Sequence, residues 1–139
     1  MVVPLFLLLT FGMIDIGRAF FVQVTLQNAV RQAGRFAVTG NHLMDPNTNR
    51  EMSRVDSIIK VAQNAAAGLD VSNIQISSVN NGNTGPARAG GPGDTVTISL
   101  TTNLRLITPL IGRFFPNGIH TFRVSTSFRN EPFPPNRTS

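Results

Sequence analysis

The stretch that decides the fold is residues 3–38, VPLFLLLTFGMIDIGRAFFVQVTLQNAVRQAGRFAV. From Met1 to Ile14 the chain carries no charge and is dominated by Val, Leu, Phe, Met and Ile. As a helix this run spans about 21 Å, short of the roughly 30 Å hydrocarbon core of a bilayer. Continuing to Val22 brings it to about 33 Å and takes in Asp15 and Arg18, three residues apart on one helical face and placed to pair. A charge pair within an apolar layer is costly and marks function by default. Beyond it, Gln23, Gln27, Arg31 and Arg35 recur every four residues, while Val22, Leu26, Ala29, Ala33 and Phe36 line another face in helical spacing. The pattern predicts one helix from near Pro4 to about Thr39, stopped by Gly40. Its first half is apolar all round and its second half is amphipathic. A secretory signal would show a basic start and a small-x-small cleavage site; the helical pattern instead runs through the region where a signal would end, which favours a retained helix.

The remaining residues read as a small α+β head. Thr48 followed by Glu51 predicts a capping box opening a second helix, with Met52, Val55, Ile59, Ala62, Ala66 and Leu69 as its core face and Gly68 as its stop. Alternating apolar residues predict three strands, over Val71–Val79, Thr95–Leu106 and Ile119–Phe128. The Thr and Ser residues between the apolar ones would then face away from the helices. Asn80 to Asp94 holds five Gly and two Pro and is expected to be an exposed connection that a shorter turn could replace. Thr108-Pro109 looks like the start of a short helix to about Phe115, and the Pro-rich tail 132–139 is expected to leave the sheet as an arm. The predicted fold class is α+β: a long N-terminal helix plus a second helix packed on a three-stranded antiparallel sheet. The expected division is an apolar segment 1–22, a head 23–131 and a tail 132–139.

Composition narrows the function classes. Charged residues are only 14 % of the chain, so its exterior must be largely Asn, Thr, Ser, Gln and Gly. Without Cys there is neither a thiolate nucleophile nor a thiolate metal site. The net charge of +5 comes mostly from Arg residues scattered along the chain, with no basic run and no nucleic-acid-binding motif, so nucleic acid is not an expected partner. His42 and His120 are far apart and lack the spacing of a metal site, and the seven acids offer no pair for general acid and base work. No catalytic, cofactor-binding or metal site is therefore expected. The Gly-rich segment lacks the Lys-Ser/Thr of a phosphate-binding loop. Asn136-Arg137-Thr138 is a glycosylation sequon, relevant only in a glycosylating host.

The N-terminal residues resemble those of TadE-like proteins, pilin-like subunits of the tight-adherence branch of type IV pilus systems. The resemblance is carried by Pro4 and the Leu run after it, Gly12, Asp15, Gly17, Arg18, the pair Phe20 and Phe21, then Asn28, Ala29, Arg31, Gly34, Arg35 and Ala37. More loosely, Thr108-Pro109-Leu110 and the closing Arg129-Asn130-Glu131-Pro132 look similar too. The family pattern also has a basic leader, a Gly cleavage site and a Glu upstream of the Pro-Leu run, which residues 1–3 do not supply. The resemblance implies a membrane-inserted precursor cut by a prepilin peptidase, handled by pilus assembly machinery and drawn into a filament at the cell surface.

The leading expectation is a structural subunit of a type IV pilus-like extracellular filament, polymerising with itself or with other pilins and serving surface attachment. The alternatives are a membrane-retained minor pilin that assists assembly and a membrane-tethered adhesin. The residues expected to form the assembly core are Pro4, Leu5, Phe6, Leu7, Leu8, Leu9, Phe11, Met13, Ile14, Asp15, Arg18, Phe20 and Phe21. Those expected on the exposed loop are Asn80, Gly82, Gly85, Arg88, Gly91 and Asp94. Deleting residues 1–17 should leave a folded head that does not polymerise.

Overall fold

A computed structural model describes residues 2–66, 68–80, 83–86, 88–108 and 115–134. Helix α1 runs unbroken over Val2–Val38, about 55 Å at the usual rise. Its buried stripe, Val22, Leu26, Ala29, Val30, Ala33, Gly34 and Ala37, is the face the amphipathic spacing selects. Gly40 follows with φ of +65°, the left-handed stop, and its N–H reaches back to the Ala37 carbonyl.

Helix α2 covers Arg54–Ala65, and its start corrects the sequence reading. Thr48 does not cap it: the Thr48 hydroxyl donates to the Asp45 carboxylate, and Glu51 bridges back to Met44. Asp45 also accepts from the Asn47 N–H at 2.9 Å, and these hydrogen bonds hold its carboxyl below the ordinary carboxylate range. The cap is Ser53, whose Oγ accepts from the Asp56 N–H at 3.1 Å, the same serine-x-x-acid logic five residues later. Ser57, Ile58 and Ala62 are buried on α2, with Val55 and Ile59 beside them partly buried.

The three expected strands are present as β1 (Val71–Asn80), β3 (Thr95–Arg105) and β4 (Ile119–Arg129). A short strand β2 (Asn83–Pro86) extends the sheet, pairing with β1 from Asn80↔Asn83 to Ser77↔Pro86. The antiparallel sheet thus runs β2-β1-β3-β4. Part of the Gly-rich connection is therefore a hairpin arm. Both helices cover one sheet face, where Ile76, Val96, Ile98, Leu100 and Leu104 are buried against α1 and α2. The opposite face carries cross-strand hydroxyl pairs: Thr97 with Ser127 at 2.8 Å, and Ser99 with Ser125 at 2.9 Å.

Close approach of α1 to β4 depends on Gly34, because a Cβ there would run into the Phe128 ring. Gly34→Ala is expected to cost about 1–3 kcal/mol through the forced shift of that ring, despite the better helix propensity of alanine. Thermal unfolding of the full chain in detergent checks it; an unchanged or raised Tm would contradict the packing described.

Two further expectations are corrected near the chain's end. The tail does not leave at Pro132: the Glu131 N–H donates to the Val38 carbonyl, and the Phe133 ring lies 4.5 Å from the Arg54 guanidinium, against Gly40. An aromatic face for a buried cation outweighs solvation of a free arm. The anticipated helix after Thr108 falls on 109–114, and the end of the tail on 135–139, both outside the described residues; a turn at Pro116–Gly118 leads into β4.

Candidate functional site

Every apolar residue expected in the assembly core, Pro4, Leu5, Phe6, Leu7, Leu8, Leu9, Phe11, Met13, Ile14, Phe20 and Phe21, is exposed in the isolated chain. The best 18-residue window of α1 has a mean hydropathy of 1.9 and is 11 % buried, so it is long and apolar enough to cross a membrane. Within it, Phe6, Leu9, Met13, Ile16 and Phe20 fall at alternating intervals of three and four and are 56 to 66 % exposed. That is the spacing of a coiled-coil seam. It was legible in the sequence but hidden by a run apolar on every side; only the burial of the opposite face singles it out.

The seam overlaps the head along the helix axis. The head grips α1 from Asp15 onward, and Val22 and Leu26 are buried in its core, whereas Phe20, Phe21 and Val24 stand exposed on the other side. From Asp15 to Val24 the helix rises about 14 Å, so the bare apolar face continues well past the foot of the head.

Asp15 and Arg18 form that foot. The Asp15 carboxylate, only 2 % exposed, accepts the backbone N–H of Ile107 at 3.0 Å and of Thr108 at 2.7 Å. Arg18 sits 3.6 Å from Asp15 and donates to the Arg105 carbonyl at 3.2 Å. The pair is therefore satisfied inside one chain, and it fastens the segment after β3 to the helix. The head reaches eight residues lower than the division at 22/23 (Asp15 rather than Gln23), a long-range contact that spacing along α1 alone does not reveal. Deleting residues 1–17 would remove this anchor, so a truncation that leaves the head intact must stop before Gly12, which is itself buried.

The exposed-loop residues divide. Asn80 ends β1, Gly85 lies in β2, Arg88 is exposed, and Gly82 lies outside the described residues. At Ala89 and Asp94 the expectation fails: both are buried and Gly91 is half-buried, while Pro92 and Gly93 between them are exposed. Asp94 accepts the Gly91 N–H at 2.6 Å, and the Asn130 amide donates to the carbonyls of Ala89 and Gly91. Backbone bonds add to these: the Gly93 N–H donates to the Asn130 carbonyl and the Asn130 N–H to the Asp94 carbonyl. A shorter turn can replace only its β2 side without touching these bonds.

Arg54 is the centre of this region. It is fully buried at the start of α2, donating to the Ala37 carbonyl at 2.6 Å and to the Gly90 carbonyl at 2.5 Å. Burial pulls its guanidinium below the ordinary arginine value, while the Asp94 carboxylate acts in the opposite sense. Nothing in local sequence marks Arg54 as different from the other arginines.

Among the described residues no group of three or more His, Asp or Glu side chains converges as a metal site would. His42 is half-buried, its Nδ1 2.9 Å from the Met52 carbonyl, and His120 packs edge-on between Phe115 and Phe122.

No curated protein and no solved structure matches the chain. Residues 1–35 match the family model described as TadE-like protein, and they are the residues that carry the bare apolar seam and the Asp15–Arg18 foot. Over these residues the N-terminal helix of this chain is similar to that of TadE-like proteins.

Proposed function

We propose that the chain is a structural subunit of a type IV pilus-like extracellular filament, held in the membrane before assembly and packed in the filament through its N-terminal helix, with surface attachment as its role. The observation that carries the reading is the overlap of seam and head. Lipid can cover Val2 to Ile14, but Phe20, Phe21 and Val24 stand beside a head whose outer sheet face is hydroxyl-rich and suited to water. Helices of neighbouring subunits can cover both stretches at once, burying the apolar side chains at about 25 cal/mol per Å². Prepilin peptidase and pilus assembly machinery are the partners this reading implies.

A second reading, a membrane-retained TadE-like subunit that assists assembly, is favoured by the mean hydropathy and low burial of the α1 window, which suit a lipid-facing anchor. The double variant Phe20→Asp, Val24→Asp separates the two, since both side chains are free of the head's core. Filament assembly requires that face to be apolar, so negative-stain microscopy of the secreted fraction with antibody should show filaments for the wild type and none for the variant. Membrane retention and a folded head should persist. Filaments of unchanged yield from the variant would contradict the proposal, and a wild type confined to the membrane fraction would favour the anchor.

A further inference from the structure

The sequence scatters its arginines, but strand pairing collects three of them on one surface. On β3 the side chains that point away from the helices are Thr95, Thr97, Ser99, Thr101, Asn103 and Arg105; their partners on β4 are Arg129, Ser127, Ser125, Arg123, Thr121 and Ile119. On β1 the same face carries Asn73, Gln75 and Ser77. Within these strands it holds three arginines, many hydroxyls and amides, and no acid. Arg105, Arg123 and Arg129 are all exposed, and among the described residues none of them is paired with a carboxylate. Arg123 and Arg129 lie about 20 Å apart along β4, and Arg105 opposite Ile119 extends the row by about 14 Å. Between them is a shallow open depression of about 580 Å³ lined by Gln75, Ser77, Thr97, Ser99, Arg123 and Ser125.

We infer that this outer sheet face binds an anionic polysaccharide, lying along β4 with its carboxylate or sulfate groups on Arg105, Arg123 and Arg129 and its hydroxyls on the Ser, Thr and Gln side chains between. Charge complementarity selects the sign of the ligand. Planar guanidinium groups suit carboxylate and sulfate oxygens. The hydroxyls select the class: they can donate to and accept from sugar hydroxyls, whereas the face has no aromatic side chain on which nucleic-acid bases could stack. The face looks away from α1, so the assignment stands whether the helix is housed in a filament or in lipid.

The test uses full-length protein in a non-ionic detergent, passed over immobilised alginate, dextran and single-stranded DNA. Retention on alginate, a polyuronate, should exceed that on neutral dextran and on DNA, and should fall as salt rises. The triple variant Arg105→Gln, Arg123→Gln, Arg129→Gln should bind alginate about tenfold more weakly, as the loss of three exposed ion pairs implies. A control of equal charge change, Arg31→Gln, Arg35→Gln, Arg50→Gln, alters exposed positions outside the sheet and should bind like wild type. Circular dichroism confirms that both variants are folded. Stronger retention on DNA, no retention on alginate, or equal losses in the two triple variants would each overturn the inference, the last by reducing the effect to net charge.

Discussion

Arg54→Ala is expected to lower the stability of the head by about 3–5 kcal/mol, a large part of the 5–15 kcal/mol typical of a small domain. The guanidinium joins three parts of the chain distant in sequence: the end of α1 through the Ala37 carbonyl, the segment after β2 through the Gly90 carbonyl, and the tail through Phe133. Removing it leaves the Gly90 carbonyl without a donor and the Ala37 carbonyl, at the helix end, with only the long 3.4 Å bond from the Gly40 N–H. It also leaves a void beneath the Phe133 ring. Arg54→Lys should restore only part of the loss, because an ammonium cannot reach both carbonyls while lying flat on the ring. Thermal unfolding in detergent checks the order wild type, then Lys, then Ala; an alanine variant within 1 kcal/mol of wild type would show that the contacts contribute little.

Asp15→Ala is expected to cost about 2–4 kcal/mol, with the damage centred on the segment after β3 rather than on the helix. Two backbone N–H groups, of Ile107 and Thr108, lose a charged acceptor inside a buried junction. Asp15→Asn keeps one carbonyl oxygen as acceptor and should fall between. Arg18→Gln removes a half-exposed partner at 3.6 Å and should cost less than 1 kcal/mol. Hydrogen exchange gives the location: faster exchange at Ile107 and Thr108 in Asp15→Ala, with α1 unchanged near Val30. Uniform acceleration across the head would instead indicate that Asp15 supports the whole fold.

The two halves of α1, apolar all round and then amphipathic, are readable in its sequence because they rest on periodicity alone, as do the three main strands and their polar outer face. What sequence could not supply came from contacts between distant residues. The capping box at Thr48 was displaced because Asp45 takes the Thr48 hydroxyl, leaving the helix start to Ser53. The short β2 and the burial of Ala89 and Asp94 came out of a segment whose glycines suggest only freedom; Asn130 and Arg54, 36 and more residues away, hold it. Asp15 and Arg18 were recognisable as a pair, but their partners lie more than 80 residues on. The row of arginines on the sheet face required strand register, since Arg105 and Arg123 become neighbours on one surface only when β3 and β4 pair.

The central claim, that the face of α1 bearing Phe20 and Val24 packs against the same helix of another copy, is most directly tested by single-cysteine cross-linking. The chain has no Cys, so each introduced thiol is unique. Phe20→Cys, Val24→Cys and the outer-face control Ser127→Cys would be expressed in intact cells, treated with a mild oxidant or a short dimaleimide, and resolved without reductant. The account predicts covalent dimers and higher oligomers of this chain through positions 20 and 24, with monomer only from position 127. Position 20 and 24 variants that remain monomeric and react with a membrane-impermeant maleimide as fast as Ser127→Cys would contradict it.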